Sequence, residues 1–171
     1  MDKKLEWIFE QHKNTNHFYD TYLPYEFHLR MVNVAGEEFI YLINEDFREH
    51  IKLALFGHDL IEDTRTSYND VKNNLGQEAA DIIYAVSNEK GKTRKERAND
   101  KYYQGIRNTK GAIFVKLCDR IANVQYSKMT KSRMFETYKN ENDNFLNQLG
   151  CFNDGFPYEP MVRMLMKLFE D

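Results

Sequence analysis

Apolar side chains recur at helical spacing along most of this 171-residue chain. The clearest stripe follows Pro24 and repeats at i, i+3, i+4 and i+7, through His28, Met31, Val32, Ala35, Phe39 and Leu42. No alternating run of strand length stands out between turn signals, and the chain has only three prolines. A composition of 42% hydrophobic and 30% charged residues is typical of a soluble globular protein. We therefore expect an all-α fold, with residues 1–171 forming one domain.

Capping patterns predict where several helices begin. Thr93 followed by Glu96 has the pattern of a capping box, and we expect that helix to run to about residue 105. Asn108 is expected to cap the longest apolar stretch, residues 112–124, which has apolar residues on nearly every side and predicts a central, buried helix. The other helices are expected at about residues 5–12, 24–42, 45–59, 67–76, 77–87, 130–149 and 158–170, with a loop over residues 13–23.

Charge and composition argue against several kinds of partner. A net charge of -3 gives no general attraction to nucleic acid or to an anionic membrane. No apolar run approaches the roughly 18 residues that a membrane span needs, and the sequence shows no signal peptide. Cys118 and Cys151 are too few for a disulfide framework. We therefore expect a cytoplasmic protein that binds neither nucleic acid nor membranes; the sequence carries no signal for its oligomeric state.

Ionisable residues interrupt the apolar stripes at three places. These are His28, the pair His58-Asp59, and Asp119 within the longest apolar stretch. Because a buried carboxylate without a partner is costly, we expect a cation beside them. Two histidines and two carboxylates, with no thiolate, suit Mn²⁺, Fe²⁺ or Zn²⁺ better than Ca²⁺ or Mg²⁺ alone.

Two further carboxylates, Glu62 and Asp63, follow His58-Asp59 at i,i+4 spacing. Metal ligands with an acid or base one helical turn away are what metal-assisted hydrolysis requires. Taken singly, these residues have simpler interpretations. His28 could be a hydrogen-bonded core histidine, and Asp119 could be an ion-pair partner of nearby basic residues, Lys116 or Arg120.

The same segments resemble the HD superfamily of metal-dependent phosphohydrolases. More narrowly, they resemble the hydrolase domain of RelA/SpoT stringent-response proteins and the small stand-alone alarmone hydrolases. The resemblance covers roughly residues 20–128 and rests mainly on the HDxxED run His58 to Asp63 and the KLxDRxxN run Lys116 to Asn123. It also includes Pro24-Tyr25 ahead of the first histidine.

The resemblance implies a single-domain helical bundle of the HD type. It implies Mn²⁺ ligation, with Fe²⁺ or Zn²⁺ as alternatives, by His28, His58, Asp59 and Asp119. Glu62 and Asp63 would be the catalytic carboxylates, and Asn123 would position water or substrate. The implied substrate is a nucleotide polyphosphate, and the implied reaction removes pyrophosphate from the 3′ position of guanosine tetra- or pentaphosphate.

Two alternatives keep the same centre. One is an HD-type nucleotide phosphatase or phosphoester hydrolase with another substrate. The other is a non-catalytic nucleotide-sensing module that retains the ligands. The Glu62-Asp63 pair argues against the sensing module, because binding alone needs the ligands but not the extra carboxylates.

The chain departs from the family pattern where the substrate would bind. Where the relatives usually carry an Arg-Lys pair that contacts the guanine nucleotide, this chain has Tyr19-Asp20, and Leu29 replaces the usual proline. Tyr19 could stack on a base, whereas Asp20 does not favour a polyanion. The basic run 90–97 is either a solvated charged face or a phosphate site. As a phosphate site, it would act through Lys92, Arg94, Lys95 and Arg97.

Overall fold

The computed structural model describes residues 2–88 and 91–170, without the side chain of Lys95. The α-helices are α1 (Lys3–Asn14), α2 (Glu26–Phe39), α3 (Arg48–Gly57), α4 (Leu60–Asp63), α5 (Tyr68–Leu75), α6 (Gln77–Val86), α7 (Arg94–Arg97), α8 (Asp100–Asn108), α9 (Ala112–Met129), α10 (Met134–Gln148) and α11 (Glu159–Leu168). Within the described ranges, the strands are β1 (Phe18–Tyr19) and β2 (Leu23–Pro24), paired antiparallel. The all-α prediction is confirmed.

Local hydrogen bonds explain several helix limits. Ser67 and Asp70 form a reciprocal capping box at the start of α5. Gly76 ends that helix with a φ of 101°, a left-handed conformation that favours glycine. Thr93 and Glu96 form the predicted capping box at the start of α7.

One predicted helix end and one predicted cap were wrong. The helix that begins after Thr93 does not reach residue 105, because it ends at Arg97 and the Asn99 side chain caps a separate helix, α8. Asn108 is the last residue of α8 and does not cap α9. The residue before α9 is Gly111, with a φ of 84°.

The segments around the candidate ligands also differ from the prediction. Pro24 is not the first residue of a helix but lies in β2, and the expected loop over 13–23 includes the end of α1 and the β1 strand. The helix expected over residues 45–59 is a 3₁₀ turn (Glu45–Phe47) followed by α3, which ends at Gly57. Asp59 is not helical, with φ −99° and ψ 2°, and α4 begins at the next residue.

The central position of α9 is confirmed. Helices α2, α3, α6, α8, α10 and α11 all contact it. Phe114, Val115, Leu117 and Ile121 of α9 are fully buried. Helix α2 packs on both α3 and α9, so the elements that carry the candidate ligands meet in one place.

Helices α2 and α3 approach each other closely at Gly36. A Cβ atom at Gly36 would lie 2.3 Å from Leu55 Cδ1 of α3, so glycine leaves the space that the leucine occupies. This contact sets the spacing between the helix that carries His28 and the helix that precedes His58. In the described part of the chain, no helix combines the length and apolar character of a membrane span.

Candidate active site

The four predicted ligands converge from three segments of the chain. His28 lies in the first turn of α2, His58-Asp59 connects α3 to α4, and Asp119 lies near the middle of α9. The Nε2 atoms of His28 and His58 are 3.2 Å apart. Asp119 Oδ1 lies 3.4 Å from the first and 3.7 Å from the second of these nitrogens. His28, His58 and Asp119 form a group whose donor atoms lie within 4.8 Å of one another and could hold a metal ion.

Asp59 adjoins this group from the side of His58. Its Oδ2 lies 2.9 Å from His58 Nε2 and 3.6 Å from His28 Nε2. Ligand atoms about 2.1 Å from a metal are separated by about 3.0–3.4 Å at octahedral or tetrahedral angles. The observed separations are close to these values, so His28, His58 and Asp119 fit one small cation, and Asp59 lies next to both histidines.

The orientation of His58 also suits metal binding. Its Nδ1 lies 3.0 Å from the carbonyl oxygen of Leu55, one turn earlier in α3. If Nδ1 carries the proton and donates it to that carbonyl, the lone pair of Nε2 faces the centre. Among the described residues His28 has no such partner, since its Nδ1 is buried without a hydrogen bond.

The charges at the centre favour a cation. Burial raises the pKa of Asp59, but His58 and His28 outweigh this effect and the pKa is lowered. Burial lowers the pKa of His58, but Asp59 and Asp119 outweigh it and raise the value to about 9. Despite burial, the pKa of Asp119 is lowered as well, with Lys116 as the main cause, so these two partly buried carboxylates stay ionised and draw positive charge onto the neighbouring imidazole, which is the field that a bound metal ion would satisfy.

Two neighbours in α9 fix Asp119. The Lys116 ammonium lies 3.1 Å from Asp119 Oδ2, and the Asn123 amide donates to Oδ1 at 2.5 Å. The sequence had left open an ion pair with Lys116 or Arg120, and the structure shows Lys116 as this partner. The other end of the Asn123 amide accepts a hydrogen bond from Tyr19 at 3.0 Å. Because protein groups bind both ends of that amide, Asn123 orients the candidate metal ligand Asp119 in this structure.

Glu62 and Asp63 lie beside the ligands and line the same cavity. Glu62 accepts hydrogen bonds from the backbone and side-chain nitrogens of Asn88, at 3.2 Å and 2.8 Å. Asp63 accepts from the Tyr25 hydroxyl at 3.2 Å. Burial, together with the charges of Asp59 and Glu62, raises the pKa of Asp63 to about 7. A carboxyl group that titrates near neutrality can both accept and donate a proton.

The cavity has a volume of about 590 Å³ and extends from the ligands to a basic wall. That wall contains Arg94, Arg97 and Arg120. Arg94 forms two hydrogen bonds with Glu141, at 3.0 and 3.2 Å, and Arg120 lies 3.4 Å from the same carboxylate. The Nε of Arg97 is buried and has no hydrogen-bond partner in the described part of the chain. The Glu141 carboxylate is thus shared by two guanidinium groups, and Arg97 adds a third positive charge to this wall, so this end suits an anion.

The predicted substrate residues divide into two groups. Arg94, Arg97 and Tyr19 line the cavity. Lys92 is exposed and is not among the lining residues that the structure describes. Its backbone nitrogen donates to the Glu96 carboxylate in α7. The predicted contact from the Lys95 side chain lies outside the described residues.

Tyr19 is less available for base stacking than the sequence suggested. One face of its ring stacks on His28, with 4.7 Å between centroids and 11° between planes. Tyr126 meets Tyr19 edge-on at 4.9 Å, and its hydroxyl donates to Asp20 at 2.9 Å. Only the rest of the Tyr19 surface is left for a ligand.

Sequence reasoning missed Asn88, Tyr138 and Glu141 as residues of this cavity. Asn88 and Glu141 belong to no sequence motif. They contact Glu62 and Arg94 only because the fold brings distant segments together. Tyr25 could have been found, because it precedes His28 by three residues, the spacing that places two side chains on one side of a helical turn.

Comparison with solved structures identifies the fold. A structure described as that of a metazoan ortholog of SpoT that hydrolyses ppGpp and plays a role in starvation responses matches with a TM-score of 0.72. The match covers 99% of this chain and 95% of that chain, at 17% sequence identity. The chain therefore has the helical fold of that protein.

A sequence relative agrees with the structural match. The guanosine-3′,5′-bis(diphosphate) 3′-pyrophosphohydrolase MESH1 of Drosophila melanogaster is 26% identical over 77 residues. The match spans 45% of this chain and 43% of that protein, which is less than half of each. No family model matches the sequence. The predicted resemblance to HD-superfamily hydrolases of guanosine tetraphosphate is confirmed.

Proposed function

We propose that this protein is a metal-dependent phosphohydrolase that removes pyrophosphate from the 3′ position of guanosine-3′,5′-bis(diphosphate). The observation that carries the proposal is that His28, His58 and Asp119 form one group that could hold a metal ion, with Asp59 against His58 and with Glu62 and Asp63 lining the same cavity. The fold shared with the SpoT ortholog and the sequence similarity to MESH1 support this choice of reaction.

The two-histidine, two-carboxylate set would hold the metal. Mn²⁺ is the proposed ion, since mixed nitrogen and oxygen ligation without sulfur suits it, and Fe²⁺ or Zn²⁺ would fit the same donors. When bound, the metal supplies Lewis-acid stabilisation of charge on phosphoryl oxygens and acidifies bound water. Lys116 and Asn123 would keep Asp119 in the orientation needed for ligation.

We assign proton transfer to Asp63 rather than Glu62. Asp63 has a pKa raised to about 7, so both of its protonation states are available near neutral pH. Glu62 is held by three hydrogen bonds from Asn88, at 2.8, 3.0 and 3.2 Å, and is therefore suited to orienting the reacting groups. This division of roles goes beyond the sequence, which did not separate the two carboxylates.

The basic wall would bind the remaining phosphates of the substrate. Arg97 has a buried Nε without a partner in the described residues, and Arg94 could exchange Glu141 for a phosphate. The separation of this wall from the ligand cluster within one cavity suits a substrate with two anionic groups. Guanosine-3′,5′-bis(diphosphate) has that character, with one diphosphate on each side of the ribose.

The experiment that tests the proposal is product analysis with Mn²⁺ across a panel of nucleotides. The panel contains guanosine-3′,5′-bis(diphosphate), guanosine diphosphate, guanosine triphosphate and simple nucleoside monophosphates. We expect pyrophosphate and guanosine diphosphate from the first compound at the highest kcat/KM. Orthophosphate alone, released from monophosphates, would contradict the proposed substrate and favour an HD-type phosphatase. Binding of the tetraphosphate without any turnover would favour the sensing module.

A further inference from the structure

A buried tyrosine hydroxyl lies between a candidate metal ligand and a candidate catalytic carboxylate. Tyr25 is 9% exposed and sits just before α2. Its hydroxyl lies against Asp59 Oδ2, to which it donates a hydrogen bond, and 3.2 Å from Asp63 Oδ2. Burial and these two carboxylates raise the pKa of Tyr25, so the phenol keeps its proton. One O–H group therefore joins two acidic side chains.

Two histidines hold the Tyr25 ring in this position. The His17 ring stacks on it with 3.8 Å between centroids, and the His12 ring with 4.6 Å, both at 19° between planes. The Nδ1 atoms of the histidines are 3.3 Å apart. His17 also approaches Asp63, with 3.8 Å from its Nε2 to Oδ2. The end of α1 and the segment that follows it thus reach the site through the Tyr25 ring.

We propose that Tyr25 is a positioning residue, whose hydroxyl holds Asp59 for metal binding and keeps Asp63 next to it for reaction. Tyr25 lines the cavity, and its hydroxyl contacts the two carboxylates, so we assign it a role through them. The part of the proposal that concerns Asp63 rests on the proposed function. The part that concerns Asp59 depends only on metal binding.

The physical reason is the repulsion between two close carboxylates. Asp59 and Asp63 are linked through the helical turn, since the Asp63 backbone nitrogen donates to the Asp59 carbonyl at 2.9 Å. A neutral O–H donor between them lowers the cost of holding both near one point. Groups that hydrogen-bond a ligating carboxylate fix its orientation, and their loss typically reduces metal affinity or activity about 10–100-fold.

The test compares Tyr25→Phe with a matched control, Tyr68→Phe. The first variant keeps the stacked ring and removes only the hydroxyl. Tyr68→Phe removes a Tyr–Asp hydrogen bond of 2.6 Å, to Asp81, at a surface that does not line the cavity. Mn²⁺ affinity is measured by titration calorimetry, and kcat and KM are measured at saturating Mn²⁺. Circular dichroism and urea unfolding check that each variant is folded.

We expect Tyr25→Phe to bind Mn²⁺ about 10–100-fold more weakly than the control, or at saturating Mn²⁺ to lose kcat by that factor with KM little changed. Affinity, kcat and KM all equal to those of Tyr68→Phe would overturn the proposal, as would a loss of stability alone. If the wild-type protein does not hydrolyse the tetraphosphate, the proposed function fails. In that case the Mn²⁺ affinities of the two variants still test the role of Tyr25 at Asp59, because this role does not depend on the proposed function.

Discussion

The Nε2 atoms of His28 and His58 lie 3.2 Å apart, although 30 residues separate the two histidines in the sequence. The close packing of α2 on α3 at Gly36 makes this possible, because a side chain there would overlap Leu55. Two imidazole nitrogens that face each other with carboxylates around them repel unless a proton or a metal ion lies between them. The packing of these helices thus brings together groups that a bound cation would stabilise.

The first prediction concerns the metal. The purified wild-type protein should contain about one transition-metal ion per chain. His58→Ala removes one donor and should lower metal affinity by at least about 100-fold, because it removes a direct ligand. His50→Ala is the control, since His50 packs on Phe47 away from the cavity. Metal content is measured by elemental mass spectrometry. A folded wild-type protein without metal affinity would refute the ligand assignment.

The second prediction separates catalysis from metal binding. Glu62→Gln combined with Asp63→Asn keeps the size of both side chains and removes their charge. We expect kcat to fall about 10²–10⁴-fold while metal content stays unchanged, because acid–base groups contribute factors of that size. The control is the same pair of changes at Glu45 and Asp46, an exposed acidic pair in a 3₁₀ turn. Full activity in the Glu62 and Asp63 variant would exclude their catalytic role.

The third prediction concerns the start of α9. Gly111 has a φ of 84°, and a Cβ there would lie 2.5 Å from Ile51 Cδ1. Gly111→Ala should therefore lower the free energy of unfolding by roughly 1–3 kcal/mol or more.

Its control is Gly105→Ala in α8, where a Cβ would meet no atom of the described residues within 4 Å. That change should raise stability by about 0.5–1 kcal/mol, as expected for alanine in a helix interior. Urea unfolding with unchanged m-values measures both effects. Equal midpoints for the two variants would show that the close contact at Gly111 is not needed.

The fourth prediction concerns the pH dependence of stability. Burial is the main cause that lowers the pKa of His12 from 6.5 to about 4. The folded protein then binds fewer protons at this site than the unfolded chain does. Stability from this group is fully present above about pH 6.5 and is lost progressively as the pH falls towards 4, by roughly 3 kcal/mol in total.

His12→Phe keeps a ring against Tyr25 and removes the titrating group. We expect the loss of stability between pH 6.5 and 4 to be smaller in His12→Phe than in the wild type. Thermal or urea unfolding at a series of pH values measures the difference. Parallel pH profiles would show that His12 does not titrate as its burial implies.

The parts that the sequence predicted well are those with a local signature. The stripe through His28 and the apolar residues around Asp119 predicted buried helices, and both are buried in the structure. The Thr93 box was predicted because a capping box is made by residues three positions apart.

The parts that it missed depend on contacts between distant residues. The break between α3 and α4 follows Gly57, but this glycine is itself helical and has no positive φ, so it did not mark the break. Two-residue strands such as β1 and β2 are too short to show alternation. The hydrogen bonds from Asn88 to Glu62 and from Tyr25 to Asp63 join segments 26 and 38 residues apart, which no spacing rule reaches.

The most direct test of the account is pyrophosphate release from guanosine-3′,5′-bis(diphosphate) by metal-stripped protein during titration with Mn²⁺. We predict no release before addition, a rise with added Mn²⁺, and saturation near about one ion per chain. Release of pyrophosphate without added metal, or none at any Mn²⁺ concentration, would contradict the proposal of a metal-dependent phosphohydrolase built on His28, His58, Asp59 and Asp119.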